Sequence, residues 1–133
     1  MDTSAQLVAF VNAFVVNARR ERWLELVQAF GQRTGKNGIA RSGKGRTKLA
    51  GALDERYCTR FREHADVVKD LDLDLDLDQK CVVFDFHDAE VMKLGEALHR
   101  FHGTEAIISV VAGELALHTL DWGEIYLCKK PKK

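Results

Sequence analysis

Two runs in the C-terminal half, CVVFDF (81–86) and AIISVVA (106–112), put apolar side chains on both sides of an extended chain. Strands of that kind need a cover on each face, so they belong in the middle of a sheet. The stretch between them, DAEVMKLGEALHRFHG (88–103), reads as a helix. Asp88 stands at its N-cap, Glu90 near its positive end, and Gly103 at its stop. Val91, Leu94, Leu98 and Phe101 fall on one face. Strand, helix and strand within about 32 residues imply a parallel, right-handed crossover. Two further strands, ELALHTL (114–120) and EIYLCKK (124–130), flank DWG, a hairpin turn with Gly123 at the left-handed position. Alternation along the first of them assigns His118 to the polar face.

The N-terminal half reads as helical. SAQLVAFVNAFVV (4–16) has apolar residues at 7, 10, 11, 14 and 15, with Ser4 as its cap. ARRERWLELVQAF (18–30) carries the stripe Trp23, Leu26, Val27 and Phe30, and Gly31 stops it. The two stripes do not share a phase, so a break is expected near Asn17. In TKLAGALDERYCTRFREHA (47–65), Leu49, Leu53, Tyr57 and Phe61 recur every four residues, which predicts an amphipathic helix capped by Thr47. The expected fold class is α+β: two or three N-terminal helices followed by a β-α-β-β-β unit with a small mixed sheet, in a single domain over 1–133.

Charge is balanced but segregated. The 133 residues hold 20 basic and 20 acidic side chains, net zero. The stretch 33–48 contains Arg33, Lys36, Arg41, Lys44, Arg46 and Lys48 with no acid, and its glycine content over 31–46 reads as a mobile basic loop. Arg19, Arg20 and Arg22 form a second basic group. The tail KKPKK (129–133) forms a third. The acids concentrate at 63–78, where DLDLDLDLD (70–78) alternates with the period of a strand. Aspartate is a poor strand former, so an edge strand and a linker are equal readings of the acidic segment 66–78.

Four motifs invite chemistry. Gly38, Gly43 and Lys44 have the spacing of a phosphate-binding loop. Gly45 stands where the magnesium-holding Ser or Thr belongs, and no strand leads in. FDFHDAE (84–90), at the end of a buried strand before an expected helix, offers Asp85 and His87 as a ligand or acid–base site. Glu96 and His99 have the i, i+3 spacing of carboxylate-bridged metal bundles, but the motif occurs once; His102 sits near the helix end. The Asp-Leu ladder lacks the glycine and the bidentate glutamate of a calcium loop, with Leu75 and Cys81 in those places. Cys58, Cys81 and Cys128 are three in number and far apart in sequence, with no C-x-x-C pair, which argues against a disulfide framework and against a zinc finger, so they read as buried, inert thiols.

No segment has the flanks of a secretory leader and no apolar run is long enough to span a bilayer, so a cytoplasmic location without membrane contact is expected. With no complete catalytic set, the expectation is a small binding or interaction protein rather than an enzyme. No cofactor and no metal are expected. Its binding residues would be Arg33, Lys36, Arg41, Lys44, Arg46 and Lys48, facing a protein partner or a second copy of the chain as a homodimer. Nucleic acid, gripped by the same loop and the lysine tail, is the alternative partner. An enzyme using Asp85 and His87 is the third reading.

Overall fold

The computed structural model describes residues 3–30, 49–63, 66, 67, 69, 77–85, 88–120 and 123–130. The basic segment 33–48, His87, the Asp-Leu segment up to residue 76 and the end of the lysine tail lie outside the described residues.

Helix α1 (Thr3–Phe14) and helix α2 (Asn17–Phe30) are separated at Val15 and Val16, the break expected near Asn17. All five apolar positions of the first stripe, Leu7, Phe10, Val11, Phe14 and Val15, are buried. Val15 leaves helical geometry to make an isolated antiparallel bridge with Leu53. Asp54 N–H donates to the Phe14 carbonyl at 2.7 Å and Val16 N–H to the Ala52 carbonyl at 2.8 Å, so a carbonyl at the end of α1 and the amide just beyond it both find partners in the next segment.

Among the described residues six strands follow: β1 (Cys58–Phe61), β2 (Lys80–Phe84), β3 (Ala89–Lys93), β4 (Ala106–Val111), β5 (Leu115–Thr119) and β6 (Ile125–Lys129). A short helix α3 (Leu94–Arg100) lies between β3 and β4. The strands form one sheet in the order β1-β6-β5-β4-β2-β3. Every pairing is antiparallel. The fold class is α+β, but the sheet is neither mixed nor small.

Three expectations are corrected. The predicted helix 47–65 is helical only over the described residues 49–52; a turn at 55–57 then leads into β1. The fourfold spacing was misleading because its members serve different cores. Leu49, Leu53 and Tyr57 pack toward α1 and α2, whereas Phe61 packs on the opposite side of the sheet. The predicted helix 88–103 begins with β3 instead. Val91 is 40% exposed, outside the stripe that Leu94, Leu98 and Phe101 bury. The parallel crossover between adjacent strands is also absent, because β2 and β4 pair antiparallel. The strand–helix–strand unit that does occur runs from β3 through α3 to β4. Those two strands point the same way with β2 between them.

The sheet is covered on both sides, as its apolar strands demand. Phe84, Ile107, Ala116, Cys58 and Cys128 face α1 and α2. Cys81, Val83, Ile108, Leu117 and Leu127 face α3, through Leu94, Ala97, Leu98 and Phe101. Strand β5 is therefore buried along all its five residues. His118, expected on a polar face, is completely buried on the α1/α2 side. A strand with two helical layers has no polar face to give it. The expected hairpin turn holds, with Gly123 at φ 94°. At the start of α3, Gly95 N–H donates to the Leu77 carbonyl at 2.8 Å.

Candidate binding edge

The site expected at FDFHDAE rests on a different geometry from the one predicted. Asp85 and Asp88 close the β2–β3 hairpin rather than opening a helix. The Asp85 amide donates to the Asp88 carbonyl at 3.1 Å, and the Asp85 carboxylate accepts the Asp88 amide at 2.7 Å. Asp88 in turn accepts the Ala89 amide at 2.9 Å. These are the local side-chain-to-backbone bonds by which aspartate stabilises turns. His87 lies outside the described residues, as do Arg33, Lys36, Arg41, Lys44, Arg46 and Lys48. Glu96 and His99 are exposed on α3. Glu96 and Glu90 both pair with Arg100, at 3.5 and 2.9 Å, as exposed ion pairs. Among the described residues no group of three His, Cys, Asp or Glu side chains is placed to hold a metal ion. No helix among them is long and apolar enough to cross a membrane.

The most organised polar cluster lies instead where the chain enters β1, beside the end of β6. Asp54 is 8% exposed and governs the turn. Its backbone carbonyl accepts the amides of Tyr57 and Cys58, each at 3.0 Å. Its carboxylate accepts the Arg56 amide at 3.0 Å and takes the Arg56 guanidinium as a fork, with Nη2 at 2.7 Å. Nε lies 3.1 and 3.2 Å from the two oxygens. The Arg56 side-chain bonds, then its backbone amide, hold the Asp54 carboxyl down at about 2. Asp54 thus remains an anion and fixes the direction of Arg56.

That direction matters because of Tyr57. The Arg56 guanidinium carbon lies 5.1 Å from the centre of the Tyr57 ring, and the Lys130 ammonium lies 3.5 Å from the same centre. Two cations held at one aromatic ring constitute a paired cation–π arrangement. The backbone fixes the partners: Lys129 N–H donates to the Tyr57 carbonyl at 2.9 Å, and Lys130 N–H to Glu114 at 2.9 Å. Arg60, two residues into β1, stands across from Tyr126 and pairs loosely with Glu124 at 3.6 Å.

Sequence reading missed this cluster because it placed 53–61 inside a helix. A signal was available in Asp54-Glu55-Arg56-Tyr57, an aspartate two residues before an arginine, the spacing of an Asx turn. The structure also brings Lys130, the second residue of the basic tail 129–133, onto the segment that begins at Leu49: Leu49, Tyr57, Cys58 and Cys128 share one core, and the Lys130 ammonium lies over the Tyr57 ring. No protein-family model, curated protein or solved structure matches this chain.

Proposed function

We propose that this chain is a non-catalytic binding protein that engages an acidic protein surface through the β1–β6 edge. Arg56, Lys129 and Lys130 would act there together with the basic stretch 33–48 and the remaining tail lysines. The observation that carries this reading is the clamp at Tyr57. It holds Lys130 and Arg56 at one ring, on the segment that follows the basic stretch. Convergent basic groups from separate parts of a net-neutral chain steer an anionic partner.

The aromatic ring among the cations supports a second reading, single-stranded nucleic acid, since bases stack on such rings within basic grooves. One titration separates the two. A fluorescent acidic peptide and a fluorescent oligonucleotide are each titrated with wild type and with the double variant Arg56→Glu, Lys130→Glu. The proposed function requires saturable binding of the peptide at low salt, weakened about tenfold or more in the variant, which corresponds to ~1.4 kcal/mol. Preference for the oligonucleotide would move the assignment to nucleic acid. Binding of neither probe would end both readings.

A further inference from the structure

The Tyr57 turn leads straight into a pair of cysteines. Cys58 opens β1, and its registered partner across the ladder is Cys128 of β6. Side chains directly opposite in an antiparallel pair point to the same face, and both residues belong to the core beneath α1 and α2. The bond from Lys129 N–H to the Tyr57 carbonyl fixes the type of pair. It joins the flanking residues 57 and 129, so Cys58 and Cys128 occupy a position without ladder bonds of their own. At such a position the α-carbons approach to about 4.5 Å, closer than at a bonded pair. A disulfide requires about 4.4–6.8 Å between α-carbons. Burial first, and then the adjacent Cys58 side chain, push the Cys128 thiol well above its usual range, as expected of two side chains lying side by side in the core. Cys81 has no such neighbour across the ladder; its registered partner is Met92.

We propose that Cys58 and Cys128 form a redox modification site, a thiol pair that a low-molecular-weight disulfide converts into an intrachain disulfide between β1 and β6. The chemistry is two successive exchanges. Cys58, 8% exposed at the start of an edge strand, loses its proton and attacks one sulfur of the small disulfide. A mixed disulfide forms at Cys58 and one small thiolate leaves, taking up a proton. Cys128, fully buried behind it, then gives up its proton and attacks the Cys58 sulfur. The Cys58–Cys128 bond forms and the second small thiol departs. Two protein thiols are oxidised and one external disulfide is reduced to two thiols. A dithiol reductant reverses the modification by the same two exchanges run backwards. The disulfide would tie the edge strand that directly follows Tyr57 to the last strand of the sheet.

The test uses the folded, fully reduced chain and oxidised glutathione as the probe. After incubation under native conditions, free thiols are counted on the denatured protein, and peptides are mapped by mass without reduction. The expected result is a fall from three free thiols to one, with a single crosslinked peptide pair joining Cys58 to Cys128. A Cys81→Ser variant should lose both of its thiols and give the same crosslink, with a raised thermal midpoint that dithiothreitol reverses. Three remaining thiols, glutathione retained on Cys58 without a crosslink, or a mixture of pairings that includes Cys81 would each overturn the proposal. The same reaction in urea gives the pattern of random pairing for comparison. Because the readout is covalent, its failure leaves the anionic-partner reading untouched.

Discussion

Each face of the sheet buries its own hydrophobic cluster, in different chemical company. The α3 face is filled by Cys81, Val83, Ile108, Leu117, Leu127, Met92 and the apolar side of α3. Its ion pairs, between Arg100 and Glu90 or Glu96, lie in solvent at the rim. The α1/α2 face buries polar groups inside its core. Ser109 donates to Gln6 of α1 at 2.6 Å, and His118 Nδ1 lies 3.0 Å from the Ala106 carbonyl oxygen. One row on this face runs Ala89, Phe84, Ile107, His118, Tyr126 and Arg60 across all six strands. The His118 and Tyr126 rings stack in it at 6.4 Å. The difference teaches that directional bonds act in different places. Helix α3 is tied down at its start, where Leu94 N–H donates to Gln79 and Gly95 N–H to Leu77, each at 2.8 Å, whereas α1 is bonded to the middle of the sheet through Gln6 and Ser109. Such bonds specify geometry that hydrocarbon contact leaves loose.

That contrast can be attacked experimentally, beginning with the largest effect. Phe84→Ala removes a fully buried ring from the α1/α2 face, and chemical denaturation should show a loss of about 3–5 kcal/mol. Leu117→Ala on the opposite face should lose about 2–5 kcal/mol. If either variant keeps wild-type stability, that face is not a packed core.

The two faces should also differ in their response to acid. Burial pushes His118 down from 6.5 to about 4. The folded state therefore refuses a proton that the unfolded chain accepts. Stability is complete above pH 6.5 and falls as pH drops from 6.5 towards 4. The shift corresponds to roughly 3 kcal/mol across that window. Denaturation measured between pH 7 and 4 checks this, and His118→Leu should flatten the curve over that range. An unchanged slope in that variant would assign the acid sensitivity elsewhere. Ser109→Ala should cost about 1 kcal/mol, the usual worth of one intramolecular hydrogen bond. The smallest effect belongs to Arg100→Ala on the α3 side. Its exposed pairs should leave the thermal midpoint within error of wild type.

Much of this architecture is legible in the sequence, and the failures have physical causes. The runs 81–86 and 106–112 announce interior strands because only a sheet covered twice accepts them. Val15 and Val16 mark the helix break because the two apolar stripes fall out of phase. Leu49, Leu53, Tyr57 and Phe61 misled because a turn can preserve a fourfold spacing by coincidence. Val91 misled because it fits a helical stripe that in fact begins three residues later. His118 could not be placed from alternation, since β5 is buried throughout. Of the candidate site, the basic character of 129–130 was visible in sequence. Its meeting with Arg56 and Tyr57 depends on β1 lying beside β6, a pairing that local periodicity does not encode.

That pairing has a kinetic consequence. The sheet assembles most readily from its meander β4-β5-β6, whose partners are close along the chain. Strand β1 comes first in sequence, yet among the described residues its partner in the sheet is β6 alone. Its four residues must wait for a contact some seventy residues away, which places it among the slow, non-local events of folding. The same topology makes β1 the natural first element to open. Amide hydrogens of Thr59 to Phe61 should then exchange with deuterium sooner than those of β4 and β5, registering the molecule's least costly excursion from its native state.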